Sequence, residues 1–558
     1  MKLLTELKVK PNYTENDIYD AVKKQYHIFC DEIIFYEIVK ESIDSRKKPN
    51  IVIKLNIAIE VKNVAKNKVK NLTEIQVNHK GVEENRVDFQ AKRPIVVGFG
   101  PAGMFAGLAL AKAGLCPIIL EQGKSVTERQ KDVDEFWKNR KLNKYSNIQF
   151  GEGGAGTFSD GKLASNVNNE YTKTCINEFI LCGAPKDIFY SYTPHIGSDE
   201  LKKVVTNLRK KIEELGGEVL FNTKFVSFET ENSKISKVYA ENVETEQKLC
   251  FETDSLILAV GHSAVHVYEL LKEKQVNLKQ KPFAMGVRIE GLQSDINKAQ
   301  YGDYNGELPP ANYKLTEHLP SGRSVFTFCM CPGGYVVASS SEEGTIVTNG
   351  MSYHGRNGTN ANSALLVNVV PEDYESDDPL AGVWFQRKYE KLAFELGGKN
   401  YNAPAEKVGD FLAEKTENFD KNFAKVSPTY LPEINVCDIS KCLPDFVSES
   451  LREALPKLGK KLSKFDDKDN LLIGVESRSS APVQIVRDEN FMASIRGIFP
   501  AGEGAGYAGG ITSSAADGIK IAEKVIEYLR TESEWKTMWI AINWGVMFNI
   551  TPRFCVWW

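Results

Sequence analysis

The chain has 558 residues, 42% hydrophobic and 26% charged, with a formal net charge of −4. That length gives room for roughly two to four domains with large cores, and the charge balance lacks the basic footprint of a nucleic-acid binder. The start, Met1-Lys-Leu-Leu-Thr-Glu-Leu-Lys8, has no apolar core or small-residue cleavage site, and no apolar run is long enough to span a bilayer, so a cytoplasmic protein without a membrane span is expected.

Residues 1–92 read as a small α+β unit. Thr14 as N-cap, Asp17 three positions on, and Ile18, Ala21 and Val22 on one face predict a helix over 14–26. Residues 33–43 read as a strand. Ile51, Ile53, Leu55, Ile57, Ile59 and Val61 alternate with polar residues, predicting a half-buried strand. The run Arg46-Lys-Lys48 reads as a solvated loop and 79–92 as a linker. The unit is the expected place to recruit a protein partner.

The next segment carries the most informative pattern, Ile95-Val-Val-Gly98-Phe-Gly100-Pro101-Ala102-Gly103, then a helical stretch, then Pro117-Ile-Ile-Leu-Glu121. Gly98 permits a tight turn, Gly100 lets backbone approach a pyrophosphate, and Gly103 lets the helix pack on the strand. Pro101 suits the first helical position. The helix start offers N–H groups and a positive dipole end to phosphates, and Glu121 can accept hydrogen bonds from ribose hydroxyls. An adenine dinucleotide site follows. The same spacing recurs at Gly151/Gly153/Gly156 and Gly504/Gly506/Gly509, but only the first copy lies between a good strand and a good helix.

Further on, helices are expected at 125–141, 170–182 and 198–215, strands over 218–260, and a β-rich stretch with Pro/Gly turns over 283–350. Helical patterning returns over 380–460, and strand–glycine–helix at 495–529. Three segments fit the same ligand. Thr253-Asp-Ser-Leu-Ile-Leu-Ala259-Val-Gly261-His262 is a buried strand ending in glycine. Gly497–Gly504 puts Glu503 on a glycine turn that leads to a helix start near Gly509-Gly510-Ile511, suited to a ribityl hydroxyl and an anionic reduced flavin ring. Gly151-Glu-Gly153-Gly154-Ala-Gly156-Thr157-Phe-Ser159-Asp-Gly-Lys162 is a glycine loop with hydroxyls and one lysine.

These runs, with Gly474-Val-Glu-Ser-Arg478-Ser-Ser-Ala-Pro482 and Pro500-Ala-Gly-Glu503-Gly-Ala-Gly506, resemble the uncharacterised bacterial FAD-dependent dehydrogenase family of the glutathione-reductase-like superfamily. The resemblance covers about 94–530. It implies an α/β protein with a Rossmann-like FAD-binding domain (three-layer ββα), an inserted mainly β substrate domain and the small N-terminal domain. The boundaries are 1–92, 93–280 (FAD, first part), 281–475 (substrate), 476–530 (FAD, second part) and 531–558 (tail). It also implies Glu121 on the adenosine ribose and Glu503 on the ribityl chain, where the wider superfamily usually has aspartate. The expected FAD residues are Gly98, Gly100, Pro101, Ala102, Gly103, Glu121, Gln122 and Arg129, then Gly153, Gly154, Gly156, Thr157 and Ser159. Ala259, Gly261, His262, Gly502, Glu503, Gly509, Gly510 and Ile511 complete the set.

The expected activity is hydride transfer between an organic small molecule and flavin N5. No second strand–glycine–helix unit exists for nicotinamide, so any NAD(P)H is expected to dock transiently as an electron donor or to share the substrate cleft. Candidate catalytic residues are Lys162, Arg478 as a carboxylate clamp, and His195 as a proton donor or acceptor; each has a structural alternative. Non-redox or RNA-modifying flavin chemistry, or an FAD-bound scaffold, are the alternatives for the whole chain. The ten cysteines form no zinc pattern: Cys329-x-Cys331 and Cys437-x4-Cys442 lack nearby histidines. A redox-active disulfide beside the flavin is weighed and set below reduced, partly buried thiols with no role. No metal site is expected. Five of the seven tryptophans (Trp535, Trp539, Trp544, Trp557 and Trp558) crowd the tail, which suits packing, partner docking or a membrane surface.

Overall fold

A computed structural model describes residues 2–62, 72–77, 79–163, 169–304 and 306–543, the last eight of these by backbone alone. In the N-terminal unit the helix Glu15–Tyr26 starts in the expected capping box: Thr14 N donates to Asp17 Oδ2 (2.7 Å) and Asp17 N to Thr14 Oγ1 (3.4 Å). It packs on a four-stranded sheet ordered Ile33–Asp44, Val52–Val61, Lys2–Val9, Thr73–Ile75. The first strand, Lys2–Val9, went unread in the sequence although Leu3, Leu7 and Val9 alternate with Lys2, Glu6 and Lys8 and are buried. This unit is tied to the body: Glu41 N donates to Tyr190 O (2.7 Å) and Tyr192 N to Glu41 O (2.9 Å). Within the basic run, Arg46 is paired with Asp44 and Lys48 Nζ reaches Ala299 O (2.5 Å).

The central layer is a five-stranded parallel sheet in the order Ile498–Pro500, Leu256–Leu258, Ile95–Val97, Ile118–Leu120, Glu218–Leu220. Its four inner and edge strands from Ile95, Ile118, Leu256 and Ile498 are wholly buried three-residue apolar runs, as strands covered on both faces must be. The chain thus returns from residue 498 to complete a sheet begun at 95. One face carries the helix Pro101–Lys112, apolar all round and buried, packed against the long helix Ile511–Asn543. A Cβ on Gly518 would collide with Ala102 O, so glycine sets how closely those helices approach. An antiparallel meander, Thr223–Glu231, Lys234–Asn242 and Lys248–Glu252, contributes Phe225, Phe228 and Val238 to the core beneath the sheet.

Between the two halves lies a seven-stranded sheet ordered Thr316–His318, Ser324–Cys331, Asn360–Val369, Phe283–Leu292, Leu471–Glu476, Ala403–Lys407, Ile434–Val436, antiparallel except at its last pair. Two expectations fail here. The helical stretch expected over 380–460 contains the helices Ala381–Leu396 and Asp445–Lys461 but also two of these strands, Ala403–Lys407 and Ile434–Val436. They are too short to show a period. The β-rich region expected over 283–350 contains the helix Gln293–Tyr301. At the far end, helix Ile511–Asn543 runs unbroken through the expected boundary at 530/531, so the tail does not begin as a separate piece. Trp535 is exposed on it; the side chain of Trp539 and all of Trp544, Trp557 and Trp558 lie outside the described residues. No helix among the described residues is long and apolar enough to cross a membrane.

Candidate functional site

A cavity of about 320 Å³ opens at the C-terminal ends of the parallel strands, between that sheet and the seven-stranded one. This is where open α/β sheets hold ligands. Its sheet-side wall is Gly98, Gly100, Pro101, Ala102, Glu121, Gly154 and Gly156 with Ser159. Gly100 caps the Pro101–Lys112 helix with no side-chain hydrogen bond, leaving the first-turn N–H groups to a ligand. Gly100 and Gly154 face each other across the opening: a Cβ on Gly154 would stand 2.9 Å from Gly100 Cα. Gly98 (φ 96°) and Gly154 (φ 62°) occupy backbone conformations that disfavour side chains.

Ala259, Gly261 and His262 arrive from the next strand, and Glu503, Gly509, Gly510 and Ile511 from the last strand and helix start. His262 Nδ1 lies 3.1 Å from Glu503 Oε1, while its Nε2 is buried with no partner among the described residues. A buried, unmatched ring nitrogen at the cavity is a group waiting for a ligand. Together with the uncapped helix and the glycine gap, it fits an elongated polar cofactor with phosphates.

Several expected residues serve the site from behind. Arg129 is fully buried and donates to the carbonyls of Asn147 (2.7 Å), Ile148 (2.7 Å), Glu152 (2.7 Å) and Gly154 (3.0 Å). It shapes the glycine loop instead of lining the cavity. Thr157 Oγ1 donates to Glu152 O (3.4 Å), and Gly153 N donates to Phe99 O (2.9 Å), so both support the same loop. Gly103 packs against Gly98 O, where a Cβ would collide. Gly502 N donates to Asp517 Oδ2 (2.8 Å). Gln122 lines a separate shallow depression beside Lys144 and Tyr145. Glu121 lines the cavity, but its carboxylate already accepts from the N–H groups of Phe99 (2.9 Å), Gly123 (2.9 Å) and Gly151 (3.0 Å). It staples the first glycine turn to the second.

The three catalytic candidates fare unequally. Lys162 lines the cavity and donates to Met330 O. Arg478 lines it too, but its fork is spent: Nε and Nη2 donate to Glu390 (2.9 and 2.8 Å), and Nη1 to Ser263 and Ser341 (3.0 and 2.6 Å). Burial alone would raise the Glu390 carboxyl; the guanidiniums of Arg478 and Arg387 outweigh it and hold that group near 2. Arg478 is therefore a fixed cationic strut, not a free clamp. His195 sits behind Lys162, stacked on His354 with Nε2 3.0 Å from His354 O. Burial first, then the Arg356 charge, lowers its pKa. It does not line the cavity.

The far wall holds what the sequence did not disclose. Phe328, Cys329, Asn349 and Glu476 line it, with Ser514 from the final helix. Glu476 Oε1 accepts from Arg288 Nη2 (2.9 Å) and Oε2 from Arg288 Nε, and Arg288 is fully buried. Burial pushes the Glu476 carboxyl up to about 7, only partly offset by that guanidinium. Its signal was available: Glu476 ends the strand Leu471–Glu476, two residues before Arg478. No cluster of three or more His, Cys, Asp or Glu side chains among the described residues is placed to hold a metal ion.

Fold and site define a mixed α/β protein with a dinucleotide-type cavity. Residues 282–479 match a family described as FAD-dependent protein, C-terminal domain-like, and residues 1–60 a domain of unknown function. An "Uncharacterized protein" of Clostridium beijerinckii is 42% identical over 528 residues, covering 92% of this chain and 96% of its own. The chain belongs to the same family as that protein, and its cofactor is FAD. Among solved structures, it is similar to the glycerol-3-phosphate dehydrogenase of Bacillus halodurans complexed with FAD (12% identity, 79% of this chain and 65% of that one, TM-score 0.35). It is also similar to the E. coli quinol fumarate reductase FrdA (9%, 83% and 76%, 0.35) and the flavin-dependent brominase Bmp2 (9%, 81% and 84%, 0.39).

Proposed function

We propose that the protein is an FAD-dependent oxidoreductase that passes two electrons between an organic small molecule and the flavin. The observation that carries this is one cavity shared by two walls: a glycine-built phosphate wall and a wall of titratable side chains from the segment matching the FAD-dependent family. When bound, FAD supplies the two-electron chemistry. The residues do the rest. The uncapped helix start at Gly100–Ala102 binds the pyrophosphate. His262 and Glu503 bind polyol hydroxyls, the imidazole Nε2 gaining its missing partner. The helix start at Gly510–Ile511 presents N–H groups and a positive dipole end to negative charge that develops on reduction. Glu476, with a pKa near 7, can take or release a proton at its carboxylate at neutral pH, while Arg288 and Arg478, each paired with a carboxylate, keep that wall rigid.

The test is the purified protein itself. It should be yellow and release one FAD per chain on denaturation, identified chromatographically. Anaerobic photoreduction followed by a screen of organic donors and NAD(P)H should then show a substrate bleaching the flavin. FMN alone, or no flavin after reconstitution, overturns the proposal.

A further inference from the structure

Two thiols in the far wall have no part in the function proposed above. Cys329 lines the cavity, and Cys331 is fully buried next to it. The strand Ser324–Cys331 follows its neighbour regularly as far as Phe328 opposite Ala364, then slips so that Cys331 faces Asn362. Cys329 sits in the slip at φ 43°, a left-handed conformation that a non-glycine residue occupies only when its surroundings impose it. Bulges of this kind re-aim side chains beside active sites. Here the bulge folds the inner thiol of a Cys-x-Cys back onto the outer residue, Cys331 Sγ donating to Cys329 O (3.3 Å).

The frame around the pair is rigid. Arg288 Nη1 donates to Cys329 O (2.9 Å) and Nη2 to Asn349 Oδ1 (2.9 Å). A Cβ at Gly350 would stand 2.8 Å from Cys331 Sγ, so glycine is what leaves the inner thiol its place. The hydrogen bond from Cys331, then the charges of Arg288 and Lys162, hold the Cys329 thiol below its ordinary value against the effect of burial. Cys331 is pushed well above by the same bond and by burial. Cys175, Cys182, Cys437 and Cys442, away from this cavity, are all raised, burial being the main cause. An outer thiol of lowered pKa facing the cavity, with an inner thiol of raised pKa behind it, is the asymmetry that thiol–disulfide chemistry uses.

We propose that Cys329 and Cys331 form a redox-active dithiol that exchanges two electrons with the FAD held in the same cavity. In one direction both S–H bonds are lost and one S–S bond forms, while FAD takes up the two electrons and two protons to become FADH2. In the other, FADH2 returns them and the disulfide opens to two thiols. The inference rests on the flavin reading and makes the protein a two-centre electron carrier whose substrates include thiols and disulfides small enough to enter the cavity.

Electron counting tests it. Air-oxidised holoprotein is titrated anaerobically with dithionite, with samples quenched by an alkylating agent and the 329–331 peptide weighed. The wild type should take four electron equivalents per FAD, its peptide going from unalkylated to doubly alkylated. Cys329→Ser and Cys331→Ser should each take two. Two equivalents in FAD-loaded wild type, with both thiols alkylated from the start even after treatment with diamide, overturns the dithiol and leaves the flavin reading standing. Absence of FAD overturns both. Should a serine variant lose its flavin, the wild-type mass shift decides alone.

Discussion

The sheet-side wall of the cavity is made of backbone, and the far wall is made of side chains. On the first, Gly98, Gly100, Gly154 and Gly156 present peptide groups, and the charged residues nearby, Arg129 and Glu121, are turned inward to hold those loops. On the second, Cys329, Glu476 and Arg478 present ionisable groups; Cys331 of the same strand lies behind the first, and Arg288 and Glu390, from another strand and a helix, fix the other two. A wall of peptide groups binds what every dinucleotide shares. A wall of paired charges and thiols is where a particular reaction is selected. The difference predicts that changes on the two walls break different things.

The largest effect should come from filling the glycine gap. Only Gly154 Cα lies near a Cβ built on Gly100, at 3.7 Å, so Gly100→Ala should keep the fold while weakening FAD retention. Gly100→Phe should abolish FAD retention through gel filtration while the circular dichroism spectrum of the folded chain stays unchanged. Retention of FAD by the phenylalanine variant would move the pyrophosphate elsewhere and erase the contrast between the walls.

On the far wall, Arg288→Met should leave FAD binding largely intact but destabilise the chain, by up to about 3–5 kcal/mol at alkaline pH, because the buried Glu476 carboxyl must then take up a proton or stand uncompensated in the core. Urea unfolding reads this. Arg288→Met combined with Glu476→Leu should recover most of the loss, since replacing both partners removes the uncompensated charge. If the double variant is no better than the single one, Arg288 acts through Asn349, Asn362 and Cys329 O and not through the pair.

How much was legible follows the same division. The sheet-side wall is written locally: Gly98 to Glu121 is one strand–turn–helix–strand unit, and its glycines, proline and acid each have a job that spacing reveals. The capping box at Thr14 and Asp17 is equally local. The far wall is not local. Arg288, Cys329, Asn349 and Glu476 are separated by up to 188 residues, and only the pairing of the strands Phe283–Leu292, Ser324–Cys331 and Leu471–Glu476 with their neighbours brings them together. Arg129 shows the converse error. Its type and position suit a phosphate, but the loop carbonyls of 147–154 close around it, which no spacing foretells. His195 and Arg478 fail similarly, because a partner distant in sequence, His354 or Glu390, claims each first.

A final contrast lies within the seven-stranded sheet, where Glu406 faces Leu472 on the strand that carries Glu476. Glu406 is buried like Glu476, but it has no arginine: Oε1 accepts from Ile439 N (3.1 Å) and Oε2 has no partner among the described residues. Burial pushes its carboxyl up from 4.5 to about 8. The folded protein therefore keeps this proton between about pH 4.5 and 8 while the unfolded chain releases it. Over that window the folded state binds more protons, so stability falls as pH rises. Glu406→Gln, neutral at every pH, should lack that loss. Its Tm relative to wild type should rise steadily from pH 5 to pH 8, each pKa unit being worth about 1.4 kcal/mol, with FAD content unaltered. A Tm difference that stays flat with pH would mean that Glu406 is ionised in the folded protein, its charge met by Arg452, and that a buried carboxyl in this sheet needs no arginine in direct contact.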